Sequence, residues 1–133
     1  MPIYVSWDET DSREKNLLRW TFDGRWTWSE LVQLAIRSRT MVEAFSPREI
    51  DAIITSGPSG YLLPTGNMIS EAVRAIDMRA ANLRRIYVVS SPGVFTAMVR
   101  TLIQTSSISS KLICIVSSEE EAYQIIRSAS VES

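Results

Sequence analysis

The residues best placed for chemistry lie between Ile54 and Asn67. There Thr55-Ser56-Gly57-Pro58-Ser59-Gly60 follows an apolar run, and Leu63-Pro64-Thr65-Gly66-Asn67 precedes an amphipathic segment. Small residues let a backbone approach a ligand closely, and the free amides at a helix start attract phosphate or carboxylate. Ser56, Gly57, Ser59, Gly66 and Asn67 are therefore the candidate residues for binding a ligand or partner. The attraction is modest, about 0.3–1 kcal/mol for an exposed charge at a helix terminus. Neither the Walker spacing nor the dinucleotide-binding glycine pattern occurs here.

Aromatic residues form the second concentration. Trp7, Trp20, Trp26 and Trp28 all fall in the first third of the chain. Trp20 and Trp28 sit at positions expected to face a core. Trp26, beside Gly24-Arg25, reads equally as core or as an exposed interface anchor, because Trp and Arg are enriched at interaction hot spots. An apolar pocket under the tryptophans, with a polar mouth at Ser56, Ser59 and Thr65, is the corresponding small-molecule reading.

Catalytic chemistry has little to draw on. Histidine, the commonest general base and metal ligand, is absent. The one cysteine, Cys114, lies inside Lys111-Leu-Ile-Cys-Ile-Val116 and reads as a small core hydrophobe. Glu119, Glu120 and Glu121 are helix-start acids rather than an acid/base pair drawn from two elements. Asp51 and Asp77 are acid candidates only in principle. We expect no catalytic residue, no metal site and no cofactor, and a protein that is not an enzyme.

Fourteen Lys and Arg against 15 Asp and Glu give a net charge of −1, too balanced for a nucleic-acid or anionic-membrane surface. No apolar stretch approaches the roughly 20 residues that cross a bilayer, and Met-Pro-Ile-Tyr-Val lacks the pattern of a signal peptide. The expectation is a cytoplasmic protein without nucleic-acid partner or membrane span. Its 133 residues suit one domain, 1–133.

The elements that must position these residues follow from periodicity. Residues 3–7 and 17–23 alternate polar and apolar, predicting an antiparallel hairpin near a sheet edge. Thr27-Trp28-Ser29-Glu30 fits a capping box, opening a helix from Trp28 to about Ala44 whose stripe includes Trp28, Leu31, Val32, Ala35, Ile36 and Val42. Ile50 to Ile54 predicts a strand that opens into a loop from Thr55 to Gly66. A helix follows, carrying Met68, Ile69, Ala72, Val73, Ile76 and Ala80, with Thr65 or Asn67 as its cap. Ile86–Val89 and Lys111–Val116 are continuous apolar runs, as in strands covered on both faces. Ser91-Pro92 opens the helix between them, and Ser118–Glu121 caps the last one. The order ββα then βαβαβα predicts an α/β fold, one mixed sheet with about four helices, in which right-handed crossovers make the core parallel.

This element order, the chain length and the passage strand, Ser56-Gly57 loop, helix resemble the STAS domain family, the anti-sigma-factor antagonist fold, over nearly the whole chain. That family commonly has an acidic strand end and an Asp-Ser-Ser-Gly-type segment with a phosphorylatable serine at the helix start. Here the corresponding residues are Ile54-Thr55-Ser56-Gly57 and Leu63-Pro64-Thr65-Gly66-Asn67. The acid is missing and the serine position falls on or beside Pro64, so the resemblance implies Thr65 as phosphoacceptor and leaves open whether a phosphorylation switch operates. It also implies a regulatory protein-interaction module with a protein partner. The alternative is a small-molecule or lipid carrier or sensor with its pocket near residues 56–67. Surplus aromatic residues and an edge strand further suggest a homodimer.

Overall fold

The protein is described by a computed structural model covering residues 3–7, 17–61, 68–90, 94–105 and 112–132. The chain runs β1 (Ile3–Trp7), β2 (Leu17–Gly24), α1 (Trp28–Glu43), β3 (Ile50–Tyr61), α2 (Met68–Asp77), β4 (Leu83–Val89), α3 (Val94–Thr105), β5 (Ile113–Val116) and α4 (Glu119–Glu132). The five strands form one sheet in the order β1-β2-β3-β4-β5. β1 pairs antiparallel with β2, and every other pairing is parallel. This is the α/β fold with one mixed sheet and four helices that the sequence predicts.

Strand order equals chain order, and this decides where the helices go. Each parallel crossover steps one strand in the same direction, and crossovers of one hand then place their helices on one face. Alternation along the strands records the result. Trp20, Phe22, Ala52, Ile54, Ile86, Val88 and Ile113 belong to the larger apolar cluster, with residues of α1, α2 and α3. Ile53, Tyr87, Cys114 and Val116 form the second cluster, against Ala122, Ile125 and Ile126 of α4. The front face therefore carries three helices and the back face one.

Local chemistry starts and stops these elements. At the N-terminus of α1 the Thr27 hydroxyl accepts from the Glu30 amide at 3.1 Å, and the Glu30 carboxylate accepts from the Thr27 amide at 3.1 Å, completing the expected capping box. At α4 the Ser118 hydroxyl accepts from the Glu121 amide at 3.2 Å, while the Glu121 carboxylate reaches Ser117 rather than Ser118. Gly24 ends β2 with φ 83°, in the left-handed region that other residues resist. Asn82 ties the turn before β4 to the end of α1, its amide donating to the carbonyls of Val42 and Arg48 at 2.8 and 2.9 Å.

Several boundaries differ from expectation. The face of α1 is rotated: Leu34 is buried, whereas Ile36, assigned to the apolar stripe, is 54% exposed. Leu31, Ala35 and Val42 are shared by both readings and set the actual stripe, from which Ile36 points away. β3 does not stop at Ile54 but continues to Tyr61. Cys114 is half-buried, at the margin of the second cluster. The long turn between β1 and β2 and the Ser91-Pro92 helix start lie outside the described residues. Among the described residues no helix is long and apolar enough to cross a membrane.

Ile53, fully buried between β2 and β4 on the single-helix face, holds α4 to the sheet. Ile53→Ala is expected to lower stability by about 2–5 kcal/mol in urea unfolding. Ile36→Ala, on the exposed side of α1, should change it by about 0.5 kcal/mol or less.

Candidate functional site

The parallel strands bring the carboxyl ends of β2 and β3 side by side. Phe22 lies opposite Ser56, and the next matched pair is Gly24 with Tyr61, so residues 57–60 stand against Asp23 alone. The Ser-Gly-Pro-Ser-Gly run is thus a wide bulge within a strand rather than a free loop. Ser56 is exposed at its start. Gly57 is half-buried, and a Cβ there would meet Asp23 Cγ at 2.5 Å and Cβ at 2.7 Å. The glycine is needed because the Asp23 side chain presses onto it. Ser59 belongs to the extended backbone of β3. Thr65, Gly66 and Asn67 lie outside the described residues.

Trp26 settles the choice left by its sequence position. At 4% exposure it is buried and cannot serve as a surface anchor. Its ring meets Phe22 edge-on at 5.1 Å and Trp28 edge-on at 5.0 Å, the arrangement favoured by aromatic quadrupoles. The burial leaves one defect: the Trp26 indole Nε1 has no hydrogen-bond partner among the described residues. An unmade bond of this kind costs about 1–3 kcal/mol.

Beside this aromatic cluster, between the sheet and α1 and α2, runs an apolar cavity of about 130 Å³. Trp20, Phe22, Trp26 and Trp28 line one end. Ala35, Ala52, Ala72, Ala75 and Ala80 line its length, and their small side chains leave the space unfilled. The cavity extends along the sheet to Leu83, at the opposite end of the parallel strands from Phe22. There its lining includes the exposed Arg39 and Arg79, which also border a polar surface cleft with Glu43, Asp77 and Arg84. Among the described residues, the exposed side chains of its lining lie at the amino ends of the parallel strands. Ser56 is not among the residues lining the cavity, and the side chains of Ser59 and Thr65 lie outside the described residues.

Two polar groupings occupy the back of the sheet. Asp51, 4% exposed, accepts from Arg84 through both carboxylate oxygens, at 3.0 Å from Nε and 2.6 Å from Nη2. That hydrogen-bonded carboxylate raises the Arg84 pKa further, outweighing partial burial. The pair joins β3 to β4, so Asp51 is committed to structure. Arg19 reaches across from β2 to Glu119 and to the Tyr123 hydroxyl of α4, the latter at 2.6 Å, and to Thr55 at 3.4 Å. Burial pushes the Tyr87 phenol up, reinforced by the Asp51 charge. Hydrogen bonds from the Ser117 hydroxyl and amide pull the Glu121 carboxyl down at the exposed start of α4. Among the described residues no three of His, Cys, Asp or Glu converge as metal ligands.

No family model, curated protein or solved structure matches this chain. The site must be judged on its own geometry. Sequence reasoning raised an apolar pocket under the tryptophans but not the course of this cavity along the alanines. The signal was present in Ala72, Ala75 and Ala80, small residues at helical or near-helical spacing on the face turned to the sheet.

The contact between Gly57 and Asp23 yields a direct test. Gly57→Ala should destabilise by about 1–3 kcal/mol through overpacking. Asp23→Gly, combined with it, should recover most of that loss in a double-mutant cycle followed by chemical denaturation.

Proposed function

We propose that the chain is a non-enzymatic binding module, a carrier or sensor for a small molecule. The observation that carries this reading is the apolar, surface-connected cavity beneath the tryptophans. Apolar walls with a few polar groups are the usual make-up of a ligand site, and an apolar void of comparable size holds a molecule such as benzene. The non-enzymatic part is supported by the lack of histidine and by the commitment of Asp51 to Arg84. Titration with toluene, followed by intrinsic tryptophan fluorescence, is expected to give a saturable change. Ala35→Leu, which projects four carbons where one stands, should abolish it while the far-ultraviolet circular dichroism is retained. An unsaturable, linear response in the wild type would remove the reading.

A second reading is favoured by a different observation, the chain order of elements. It is a cytoplasmic regulatory module that meets a protein partner, resembling anti-sigma-factor antagonists, with or without a phosphorylation switch at Thr65. Exposed Ser56, where the bulge of β3 begins, supplies a contact point, and edge strand β1, with Tyr4 48% exposed, supplies one for a homodimer. A partner retained from native extract by the wild type and lost with Ser56→Arg is the expected outcome; retention by both would discard this surface.

A further inference from the structure

The cavity and the surface cleft beside it share four lining residues, Arg39, Arg79, Ala80 and Leu83. One space is apolar and the other polar, and the two arginines belong to both. An arginine does this by laying its hydrocarbon stem along apolar surface while its guanidinium stays in water. Among the described residues, no acidic side chain lines the cavity.

The hydrogen bonds of the cleft show which cation is uncommitted. Besides the shared residues it holds Glu43, Asp77 and Arg84. Arg84 is bound in two-pronged fashion by Asp51, and Arg39 is held through Nε by Glu43 at 2.8 Å. Arg79 differs. The Ile76 carbonyl accepts from its amide at 3.0 Å and from its Nη1 at 3.1 Å, which fixes the turn after α2 and the reach of the side chain. No carboxylate pairs with it among the described residues. Its guanidinium therefore keeps donors to give at the border of an apolar space. Asp77 is likewise in no ion pair, but it borders the cleft without lining the cavity. With Glu43 it disfavours a second negative charge on anything bound there.

We infer that cavity and cleft together form a site for a free monocarboxylate with a short apolar tail. The tail, of about six to eight non-hydrogen atoms, fills the cavity along its alanines. The carboxylate lies in the cleft and accepts from the Arg79 guanidinium, with Arg39 beside it. This inference rests on the ligand-binding reading proposed above and adds the ligand's chemical class and its orientation. The two halves need each other. Apolar walls offer a carboxylate nothing, and an exposed ion pair alone adds little.

The test uses probes of one chain length on the intact protein. Octanoate, 1-octanol and octylamine are titrated in turn, with intrinsic tryptophan fluorescence as the readout, since Trp20 and Trp28 line the far end of the cavity. Octanoate is expected to bind about two- to fivefold tighter than 1-octanol, and octylamine most weakly. The order is informative because an alcohol sheds its water more readily than a carboxylate, so apolar burial alone would favour the alcohol. Raised sodium chloride should narrow the difference. Arg79 is exposed, and Arg79→Met keeps an unbranched apolar stem without the charge. That variant should lose the preference for octanoate while its affinity for 1-octanol is unchanged, and Arg79→Lys should retain part of it. Saturable binding of 1-octanol with octanoate no tighter, or a preference that survives in Arg79→Met, overturns the carboxylate assignment while the cavity reading stands. Tighter binding of octyl phosphate than of octanoate overturns the single charge. Saturable binding of none of these probes overturns the ligand-binding reading itself.

Discussion

The winding of the chain in a single direction governs the rest of the molecule. Because β2, β3, β4 and β5 add in chain order, the three crossover helices share one face of the sheet, and only α4 remains for the other. The two faces therefore meet different packing problems. On the back, one helix covers Ile53, Tyr87 and Val116, and polar side chains take over at its margin. Asp51 is bound by Arg84, while Arg19 is held by Glu119 and Tyr123. On the front, three helices stand over one twisted sheet, and the residues between them must fill whatever gaps that geometry leaves.

The front face fills its gaps unevenly. Large aromatic rings crowd the carboxyl end of β2, where Phe22, Trp26 and Trp28 pack edge to face. Alanines occupy the neighbouring helix positions, so the rings are not matched by equally large partners across the interface. Protein interiors normally close such voids, because each lost contact weakens packing. A void kept beside a buried, unpaired donor costs stability twice, once in missing dispersion and once in the unmade hydrogen bond. Proteins tolerate defects of this kind most readily where they serve binding. This is the physical argument behind the proposed ligand-binding reading.

Much of the fold was legible because its signals are local and repeated. Alternation in Ile3–Trp7 and Leu17–Gly24 marked the hairpin, continuous apolar runs marked the inner strands, and Thr27 with Glu30 marked the start of α1. Ile36 misled because a sequence stripe has width but no fixed phase; contact with α2 and the sheet selects which edge of it is buried. The Gly57–Ser59 run misled for another reason. Its composition is that of a turn, yet the parallel pairing with β2 resumes at Tyr61 and carries the intervening residues as a bulge. The tryptophans suggested a pocket, but its course was not legible in composition, since a void is made by what several distant positions lack. Trp26 illustrates the same limit: its type announced importance, but only its neighbours show whether it faces solvent or the interior.

Several polar groups of this protein are committed to holding its elements together. A catalytic acid or base must be free to exchange a proton with a substrate. Here Asp51 is saturated by a guanidinium, Glu121 is fastened to Ser117, and Arg19 is engaged on three sides. Each of these contacts joins one element to another or caps a helix. Trp26 differs because its indole nitrogen is buried with its hydrogen bond unmade. An indole N–H holds its proton throughout the physiological range and can do no acid or base work.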